Sequence, residues 1–257
     1  LISCGLNVKD LGLSTTPTVE MAVILEKAAG GIIITASHNP KQWNALKLLN
    51  NKGEFLSNED GNKILSFTKK ENYLYNEVDF LGNYIKIDNY NDIHINKILS
   101  LSLVDVDLIK SAKFKVVLDA VNSTGGIIIP QLLNKLGVQC IKLYCEPNGK
   151  FPHNPEPLPE NLVDISNLVV KKEADLGIVV DPDVDRLAFI CEDGSMFGEE
   201  YTLVAVSDYI LQNTPGNTVS NLSSTKALKD VTEKYGCEYN ASAVGEVNVV
   251  QKMKETN

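Results

Sequence analysis

Residues 30–47 read GGIIITASHNPKQWNALK, and this stretch decides how the rest of the chain is interpreted. The apolar residues 32–34 predict a buried β-strand, which ends in the small, polar and turn-forming residues 35–40. Ser37 is therefore predicted to lie on a loop at a strand end, with its hydroxyl exposed. A phosphate on this serine would find hydrogen-bond donors and positive charge close by. The neighbours in the sequence are His38 and two cations, Lys41 and Lys47.

The same residues also fit an ordinary strand-to-turn transition, in which Asn39 and Pro40 end the strand and Ser37 only caps the turn. The residues alone leave both interpretations open. The order Thr-Ala-Ser-His-Asn-Pro, followed by Asn44 and Lys47, resembles the phosphoserine loop of the α-D-phosphohexomutases. These enzymes move phosphate between C1 and C6 of a hexose. The resemblance predicts a metal-binding aspartate cluster further along the chain.

The composition favours a packed globular protein. The chain has 257 residues, of which 44% are hydrophobic, enough for one large domain or two to three small ones. The 33 acidic residues exceed the 24 basic ones and give a net charge of -9. We therefore expect neither nucleic acid nor an anionic membrane as a partner, because both require a positive face. A small phosphorylated substrate needs only a few local cations.

The five cysteines are scattered, odd in number and without a C-x-x-C pair, so neither a disulfide framework nor a zinc site is predicted. No apolar run approaches the roughly 20 residues of a membrane helix, and no signal segment opens the chain. A reducing cytoplasm is the expected location. Because the first residue is Leu1 rather than Met, we expect the chain to be part of a longer protein.

Three α/β units are predicted, and the first spans residues 1–97. It contains the serine loop, and a hairpin signal after residues 46–50 places Lys47 on a strand close to that loop. The segment 58–90 is polar and contains one predicted helix, and no candidate catalytic or binding residues are identified in it. The elements predicted for this unit are a turn at 15–18, a helix at 19–29, the serine strand at 32–34, a hairpin turn at 51–53 and a helix at 59–70.

The second unit is predicted over residues 98–197, and its elements alternate as βαβαβ, which favours a parallel, doubly wound sheet. The Gly125-Gly126 turn lacks the G-x-G-x-x-G fingerprint, so it is interpreted as tight strand-to-helix packing. The predicted elements are strands at 115–119, 140–144 and 176–180, and helices at 127–136 and 160–172.

The third unit is predicted over residues 198–257, with helices at 201–212, 225–235 and 249–254 and one strand near Val219. No closing strand is predicted, so this unit looks incomplete. The fold class expected for the chain is α/β. The resemblance implies consecutive three-layer α/β domains with mixed, mostly parallel sheets, corresponding to phosphohexomutase domains I, II and part of III.

Three carboxylates, Asp181, Asp183 and Asp185, directly follow the buried strand 176–180, at the end where open α/β sheets bind ligands. At positions i, i+2 and i+4 of a tight loop they can converge on one hard cation, and oxygen ligands favour Mg²⁺ over zinc. Arg186 comes next and is the single arginine of the chain. A planar guanidinium at this position is suited to binding a phosphate beside the metal.

Two other kinds of loop share part of this pattern. An EF-hand would place Glu192 at position twelve, but its sixth position holds Arg186 where glycine is required. A haloacid-dehalogenase-type loop needs Thr or Val where this chain has Asp185. A solvated acidic turn stays open from these residues alone. Asp-Pro-Asp-Val-Asp-Arg resembles the D-G-D-x-D-R metal loop of the phosphohexomutases, with Pro182 in place of glycine. From the two motifs in this order the chain is identified as a member of that family.

The resemblance implies a role for each matching residue. Ser37 would carry the phosphate and, through it, bind Mg²⁺ together with the three aspartates. Lys47 would be the general acid/base, with a pKa lowered by neighbouring cations. His38 and Asn39 would orient the phosphoserine, and His38 and Arg186 are counted with the catalytic residues. The residues expected to bind substrate or phosphate are Asn39, Asn44 and Arg186.

The implied activity is transfer of phosphate between C6 and C1 of a hexose phosphate through a bisphosphorylated sugar, with a hexose 1,6-bisphosphate as activator. Glu246 occupies a loop where a carboxylate would suit a substrate ammonium, which favours glucosamine 6-phosphate. Mannose or glucose phosphates are the alternative. The family's N-terminal arginine segment, sugar-selecting G-E-x-S-G-H loop and fourth domain have no counterpart here. A fragment that binds sugar phosphate without turnover is therefore a third alternative.

Overall fold

The computed structural model describes residues 1–40, 42–69 and 74–256. Lys41 and the predicted end of a helix at residue 70 lie outside them. The first unit holds two small sheets, one parallel (β1 with β4) and one antiparallel (β2 with β3), and two helices. Its elements are β1 Val8–Asp10, α1 Thr16–Leu25, β2 Gly31–Ile34, β3 Leu46–Leu49, α2 Asn58–Lys69 and β4 Tyr84–Lys86.

Helix α1 begins three residues before the predicted start and ends four residues early. Thr15 caps it by accepting a hydrogen bond from the backbone N–H of Thr18, and Pro17 fits the first turn. The predicted turn at 15–18 is therefore the capped start of the helix. Thr15 and Thr16 are both about 1% exposed, so this helix end is buried in the molecule.

Strand β2 differs from the buried strand that was predicted. Ile33 packs with Val23 and Leu49, but Ile32 is 45% exposed and Ile34 is 74% exposed. In the described residues β2 pairs only with β3, and successive side chains of a strand point to opposite faces. One face of the strand is therefore buried and the other is not.

The predicted hairpin after β3 is confirmed. The backbone N–H of Gly53 donates to the carbonyl of Asn50 at 3.1 Å, and Gly53 has a φ of +73°. A Cβ at this glycine would lie 2.4 Å from the carbonyl oxygen of Glu20, so the turn needs glycine for both conformation and space. The register pairs Ile33 with Lys47. Lys47 therefore lies on a strand beside the serine loop, as predicted.

The second unit contains a four-stranded sheet in the order β6-β5-β7-β8. The first three strands are parallel, as the βαβαβ pattern predicts, and β8 pairs with β7 in the antiparallel direction. The sheet is therefore mixed. Its elements are α3 Tyr90–Leu99, α4 Val106–Ala112, β5 Lys115–Asp119, α5 Gly125–Lys135, β6 Gln139–Leu143, α6 Val163–Lys172, β7 Leu176–Val180 and β8 Leu187–Ile190.

The core of the second unit fixes the carboxyl ends of β5 and β7. Val117 on β5 and Val179 on β7 are at most 2% exposed and pack with Ile165 of α6 and Ile190 of β8. Because β5 and β7 are parallel and adjacent, the residues that follow them meet at one edge of the sheet. The aspartate loop begins at this edge.

Helix α3 passes through the boundary that the sequence places between residues 97 and 98. It packs against α1 of the first unit and α5 of the second. Thr18 Oγ1 and His94 Nδ1 lie 2.8 Å apart across the first of these contacts. The division into residues 1–97, 98–197 and 198–257 stays a prediction.

The third unit consists of α7 Glu199–Asn213, β9 Thr218–Asn221, α8 Ala227–Lys234, β10 Tyr239–Ser242 and α9 Glu246–Glu255. The expectation that it has no second strand is wrong, because β10 pairs in parallel with β9. Helix α9 begins three residues before the prediction, directly after Gly245. Among the helices in the described residues, none has the length and apolar character needed to cross a bilayer.

Candidate active site

The aspartate loop follows β7 and is held by its own backbone. Asp181 and Asp183 are at most 3% exposed, whereas Asp185 is exposed. Val184 between the last two aspartates has a φ of +66°, an unusual conformation for a β-branched residue. One carboxylate oxygen from each aspartate lies within 4.8 Å of the other two. The predicted convergence of the three carboxylates is therefore observed.

Asp181 links the loop to the serine. Its Oδ1 accepts backbone N–H bonds from Asp185 and Arg186, both at 3.2 Å, and its Oδ2 accepts a hydrogen bond from Ser37 Oγ at 2.8 Å. Burial, together with the nearby charges of Asp183 and Asp185, raises the pKa of Asp181 to about 7. The serine and the aspartate are 144 positions apart in the sequence.

Asp183 has one satisfied and one unsatisfied oxygen. Its Oδ2 accepts from Thr16 Oγ1 and from Lys47 Nζ, each at 2.6 Å. Burial works against the carboxylate, but these two hydrogen bonds outweigh it, so the pKa of Asp183 lies below its usual range. Its Oδ1 is buried and has no hydrogen-bond partner among the described residues.

The three aspartates fit a hard divalent cation. Their donors are all oxygens, they converge, and the unpartnered Oδ1 of Asp183 is the kind of buried atom that a cation would satisfy. Part of the charge is already balanced, because Lys47 donates to both Asp183 and Asp185. A solvated acidic turn does not describe this loop, since two of its carboxylates are buried and hydrogen-bonded.

Ser37 is presented by a left-handed backbone with a φ of +50°. Its N–H donates to Thr35 Oγ1 at 2.9 Å, which holds the turn, and His38 Nδ1 lies 3.3 Å from Ser37 Oγ. The serine is half-buried, not exposed as predicted, because its hydroxyl faces Asp181. The structure therefore brings together the serine, the histidine and the aspartate loop.

Lys47 has carboxylates, not cations, as neighbours. Its Nζ binds Asp183 and Asp185 and lies 5.7 Å from the centre of the Phe55 ring. Burial works toward a lower pKa, but the hydrogen bonds to the two aspartates outweigh it and raise the pKa of Lys47 above its usual value. The expected depression of this pKa is therefore wrong, because the aspartate loop packs against β3.

Asn39 and Asn44 make only local hydrogen bonds in the described structure. The side chain of Asn39 donates to the carbonyl of Ala36 at 2.9 Å, and Asn44 Oδ1 accepts from the N–H of Ala45 at 3.0 Å. Both residues line a cleft of about 310 Å³ beside Ser37, together with Trp43. They are placed to contact a ligand in the cleft, and their binding roles stay predictions.

Arg186 is engaged by a residue that the sequence did not indicate. Its Nη1 donates to Glu156 Oε1 at 3.0 Å, and its backbone N–H is held by Asp181. Glu156 lies in the Pro-rich loop that follows β6. The prolines on either side of it are the one sequence feature that could have indicated a fixed position for this residue. The guanidinium is about one-third exposed, and its other donors have no hydrogen-bond partner among the described residues.

The sequence analysis also did not predict Thr16 and Glu20 as residues of the site. Thr16 reaches Asp183 through the capped start of α1, which the capping pattern could have revealed. Glu20, one turn later on α1, is half-buried. Its pKa is raised to about 7 by burial and by Glu246, with Lys47 acting in the opposite direction. Burial and the charge of Asp185 likewise raise the pKa of Glu246. The predicted substrate-selecting Glu246 therefore lies near the aspartate loop.

The fold and this site define a multidomain α/β protein in which a serine is hydrogen-bonded to a loop of three aspartates. Family models match nearly the whole chain: phosphoglucomutase/phosphomannomutase alpha/beta/alpha domain I at residues 1–74, domain II at 92–194 and domain III at 198–257. The chain belongs to the phosphoglucomutase/phosphomannomutase family, that is, to the phosphohexomutases. The predicted fold class of consecutive α/β domains is confirmed.

Relatives similar in sequence include proteins named as phosphoglucosamine mutases and proteins named as phosphoglucomutase/phosphomannomutases. A probable phosphoglucosamine mutase from Methanopyrus kandleri is 32% identical over 99% of this chain and 56% of its own length. A phosphoglucomutase/phosphomannomutase from Thermococcus kodakarensis is 33% identical over the whole chain and 56% of its own length. The chain thus spans little more than half the length of these relatives.

The solved structures agree on the fold. A phosphoglucomutase/phosphomannomutase family protein from Burkholderia thailandensis superimposes with a TM-score of 0.85 at 24% identity. The match covers all of this chain and 56% of that protein. The similarity confirms the arrangement of the α/β domains.

Proposed function

We propose that this chain carries the phosphotransfer centre of a phosphohexose mutase, an isomerase that moves phosphate between C6 and C1 of a hexose phosphate. The observation that supports this most directly is the 2.8 Å hydrogen bond from Ser37 Oγ to Asp181 Oδ2. It places a serine hydroxyl at the edge of a converging carboxylate cluster, where a phosphate on Ser37 would share a cation with Asp181, Asp183 and Asp185.

Mg²⁺ held by these aspartates and by a phosphate on Ser37 would neutralise the oxygens of the transferring group. The chain's own residues position that group. His38 lies 3.3 Å from Ser37 Oγ and is proposed to orient the phosphoserine. The left-handed backbone of Ser37 and the bond from its N–H to Thr35 fix the direction in which the phosphate is presented.

In the proposed first transfer, a sugar hydroxyl oxygen bonds to phosphorus while the bond from phosphorus to Ser37 Oγ breaks. The hydroxyl proton is lost and Ser37 Oγ gains a proton, so charge and atoms balance. The bisphosphorylated sugar then reorients and returns its other phosphate to Ser37. Lys47 is proposed as the general acid/base for these proton transfers. Its Nζ lies beside the aspartate loop, hydrogen-bonded to Asp183 and Asp185.

The proposed substrate is glucosamine 6-phosphate, converted to glucosamine 1-phosphate. Support comes from Glu246, a half-buried carboxyl group at the start of α9 whose surroundings include Asp185 and Lys47. Such a carboxylate could pair with a sugar ammonium. The second candidate is a phosphomannomutase/phosphoglucomutase activity, which the name of the Thermococcus kodakarensis relative supports. A fragment that binds sugar phosphate without turnover is the third.

Mass spectrometry tests the phosphotransfer centre. The chain is incubated with glucose 1,6-bisphosphate and Mg²⁺, and the intact mass and peptide map are recorded. We expect one phosphate on Ser37, absent in Ser37→Ala and retained in Ser66→Ala, a serine on the exposed helix α2. A bare Ser37 after incubation, with bisphosphate binding still measurable, would instead support the non-catalytic fragment.

The substrate is tested separately by the sugar of the bisphosphate. If Glu246 pairs with an ammonium, half-saturation of Ser37 phosphorylation requires less glucosamine 1,6-bisphosphate than glucose 1,6-bisphosphate. That preference disappears in Glu246→Gln. Equal half-saturating concentrations in the wild type would favour the glucose or mannose candidate.

A further inference from the structure

Arg186 is held at two points, one on its backbone and one on its guanidinium. Its backbone N–H donates to Asp181 Oδ1 at 3.2 Å, so the residue is tied to the aspartate loop. At the other end, Nη1 donates to Glu156 Oε1 at 3.0 Å, and in the described part of the chain Glu156 is the one carboxylate paired with this guanidinium. A long side chain that would otherwise sample many rotamers is thereby restricted.

Glu156 itself sits on a rigid segment. Pro155 and Pro157 flank it and are both buried, which fixes the backbone on either side. The N–H of Glu156 donates to Asn154 Oδ1 at 3.2 Å, and its carbonyl accepts from Asn161 Nδ2 at 2.8 Å. The backbone of Glu156 is therefore set by its own loop, and its carboxylate reaches Arg186 from that fixed backbone.

The same loop is fastened to the sheet by His153. Its Nε2 lies 3.0 Å from Asp119 Oδ2 at the end of β5, and its Nδ1 lies 2.7 Å from the carbonyl of Asn154. Asp119 is 1% exposed. A carbonyl and a carboxylate both accept hydrogen bonds, so this geometry suits the doubly protonated ring. Asp119 and His153 therefore form an ion pair that fixes the loop beside Glu156.

We propose that Glu156 is a positioning residue that holds the Arg186 guanidinium toward the phosphate of the ligand, and that the Asp119–His153 pair keeps Glu156 in place. This inference rests on the proposed function for the identity of the ligand. Without Glu156, the guanidinium would lose the carboxylate with which it is paired in the described residues. The remaining guanidinium donors stay available to a phosphate.

A direct test uses the fact that Arg186 is the single arginine of the chain. With ¹⁵N-labelled arginine, the Nε–H signal in an NMR spectrum reports this one side chain. We expect Glu156→Gln to shift the signal and to speed rotation of the guanidinium by about fivefold or more. His153→Gln should have a smaller effect of the same sign. The exposed Glu160→Gln on the same loop is the matched control and should leave the signal unchanged.

Ligand binding gives the second readout. Inorganic phosphate is titrated while the arginine signal is followed, and we expect its half-saturating concentration to rise about tenfold in Glu156→Gln, equal to about 1.4 kcal/mol. In the phosphorylation assay, the half-saturating glucose 1,6-bisphosphate should rise by a similar factor, while the maximal rate changes less than about twofold. Glu156→Asp, which keeps the charge, should recover part of both losses.

The outcomes are distinguishable. Tighter phosphate binding in Glu156→Gln would show that Glu156 competes with the ligand, and an unchanged arginine signal would show that it does not position Arg186. Either result overturns the inference. If wild-type Ser37 takes up no phosphate, the proposed function fails, but the arginine signal and the phosphate titration still decide the role of Glu156.

Discussion

Thr16 donates two hydrogen bonds to Asp183. Its Oγ1 donates to Asp183 Oδ2 at 2.6 Å, and its backbone N–H donates to the Asp183 carbonyl at 2.9 Å. Both residues are at most 3% exposed. The start of α1 in the first unit therefore supports the aspartate loop of the second unit, and it does so out of contact with water.

Thr16→Val keeps the shape of the side chain but removes the hydroxyl donor. We expect it to lower the free energy of unfolding by about 2 kcal/mol, because a buried carboxylate loses a hydrogen bond. Thr16→Ser keeps the donor and should lose less than about 1 kcal/mol. Urea unfolding followed by circular dichroism measures both. A larger loss in Thr16→Ser than in Thr16→Val would mean that the methyl group, not the hydrogen bond, stabilises this contact.

Mg²⁺ should stabilise the folded chain through the three aspartates. At a Mg²⁺ concentration of about 100 times the dissociation constant, the gain is expected to be about 2.7 kcal/mol, visible as a higher Tm. Asp185→Asn should abolish this rise, and it is the variant of choice because Asp185 is the least buried of the three. Asp88→Asn, at a site 75% exposed, serves as control. A rise in Tm that persists in Asp185→Asn would place the cation elsewhere.

His153 and His94 should make opposite contributions to the pH dependence of the free energy of unfolding. Burial works against the charged form of His153, but its bonds to Asp119 and to the carbonyl of Asn154 outweigh burial and raise its pKa. Asp164 adds to this effect. Protonated His153 therefore stabilises the folded state fully below its unfolded pKa of about 6.5, and the contribution is lost as the pH rises through the folded pKa. His94 behaves oppositely, because burial lowers its pKa.

The measurement is the free energy of unfolding of the wild type, His153→Gln and His94→Gln between pH 5 and pH 8, a range of about three units around the unfolded pKa. The stability that the wild type has over His153→Gln should shrink as the pH rises. Its stability over His94→Gln should shrink as the pH falls. Parallel curves for the wild type and His153→Gln would contradict an Asp119–His153 ion pair.

Gly53 and Gly61 form a matched pair for backbone effects. Gly53→Ala places a Cβ 2.4 Å from the Glu20 carbonyl at a φ of +73°, and we expect a loss of about 2 kcal/mol or more. Gly61 lies inside α2, where a Cβ meets nothing within 4 Å. Gly61→Ala should therefore stabilise the chain by up to about 1 kcal/mol. Thermal unfolding of both variants decides, and a gain from Gly53→Ala would contradict the observed turn.

Local sequence signals predicted the local parts of the site. The tight turn after β2, the hairpin that places Lys47 on β3, and the aspartates at i, i+2 and i+4 after β7 all depend on neighbours within a few residues. Strand β7 was predicted with its observed bounds, Leu176–Val180. The start of α1 was also a local feature, and the prediction placed it at residue 19 because the role of Thr15 as a cap was not recognised.

The remaining features depend on which segments the fold brings together. The sequence by itself determined a serine loop, a carboxylate loop and a lone arginine, because each is written in consecutive residues. Only the tertiary structure decided that Ser37 meets Asp181 across 144 positions, that Lys47 lies among carboxylates and so gains a higher pKa, and that Glu156 holds Arg186. Burial and charge at these positions come from residues distant in the chain, so no local pattern encodes them.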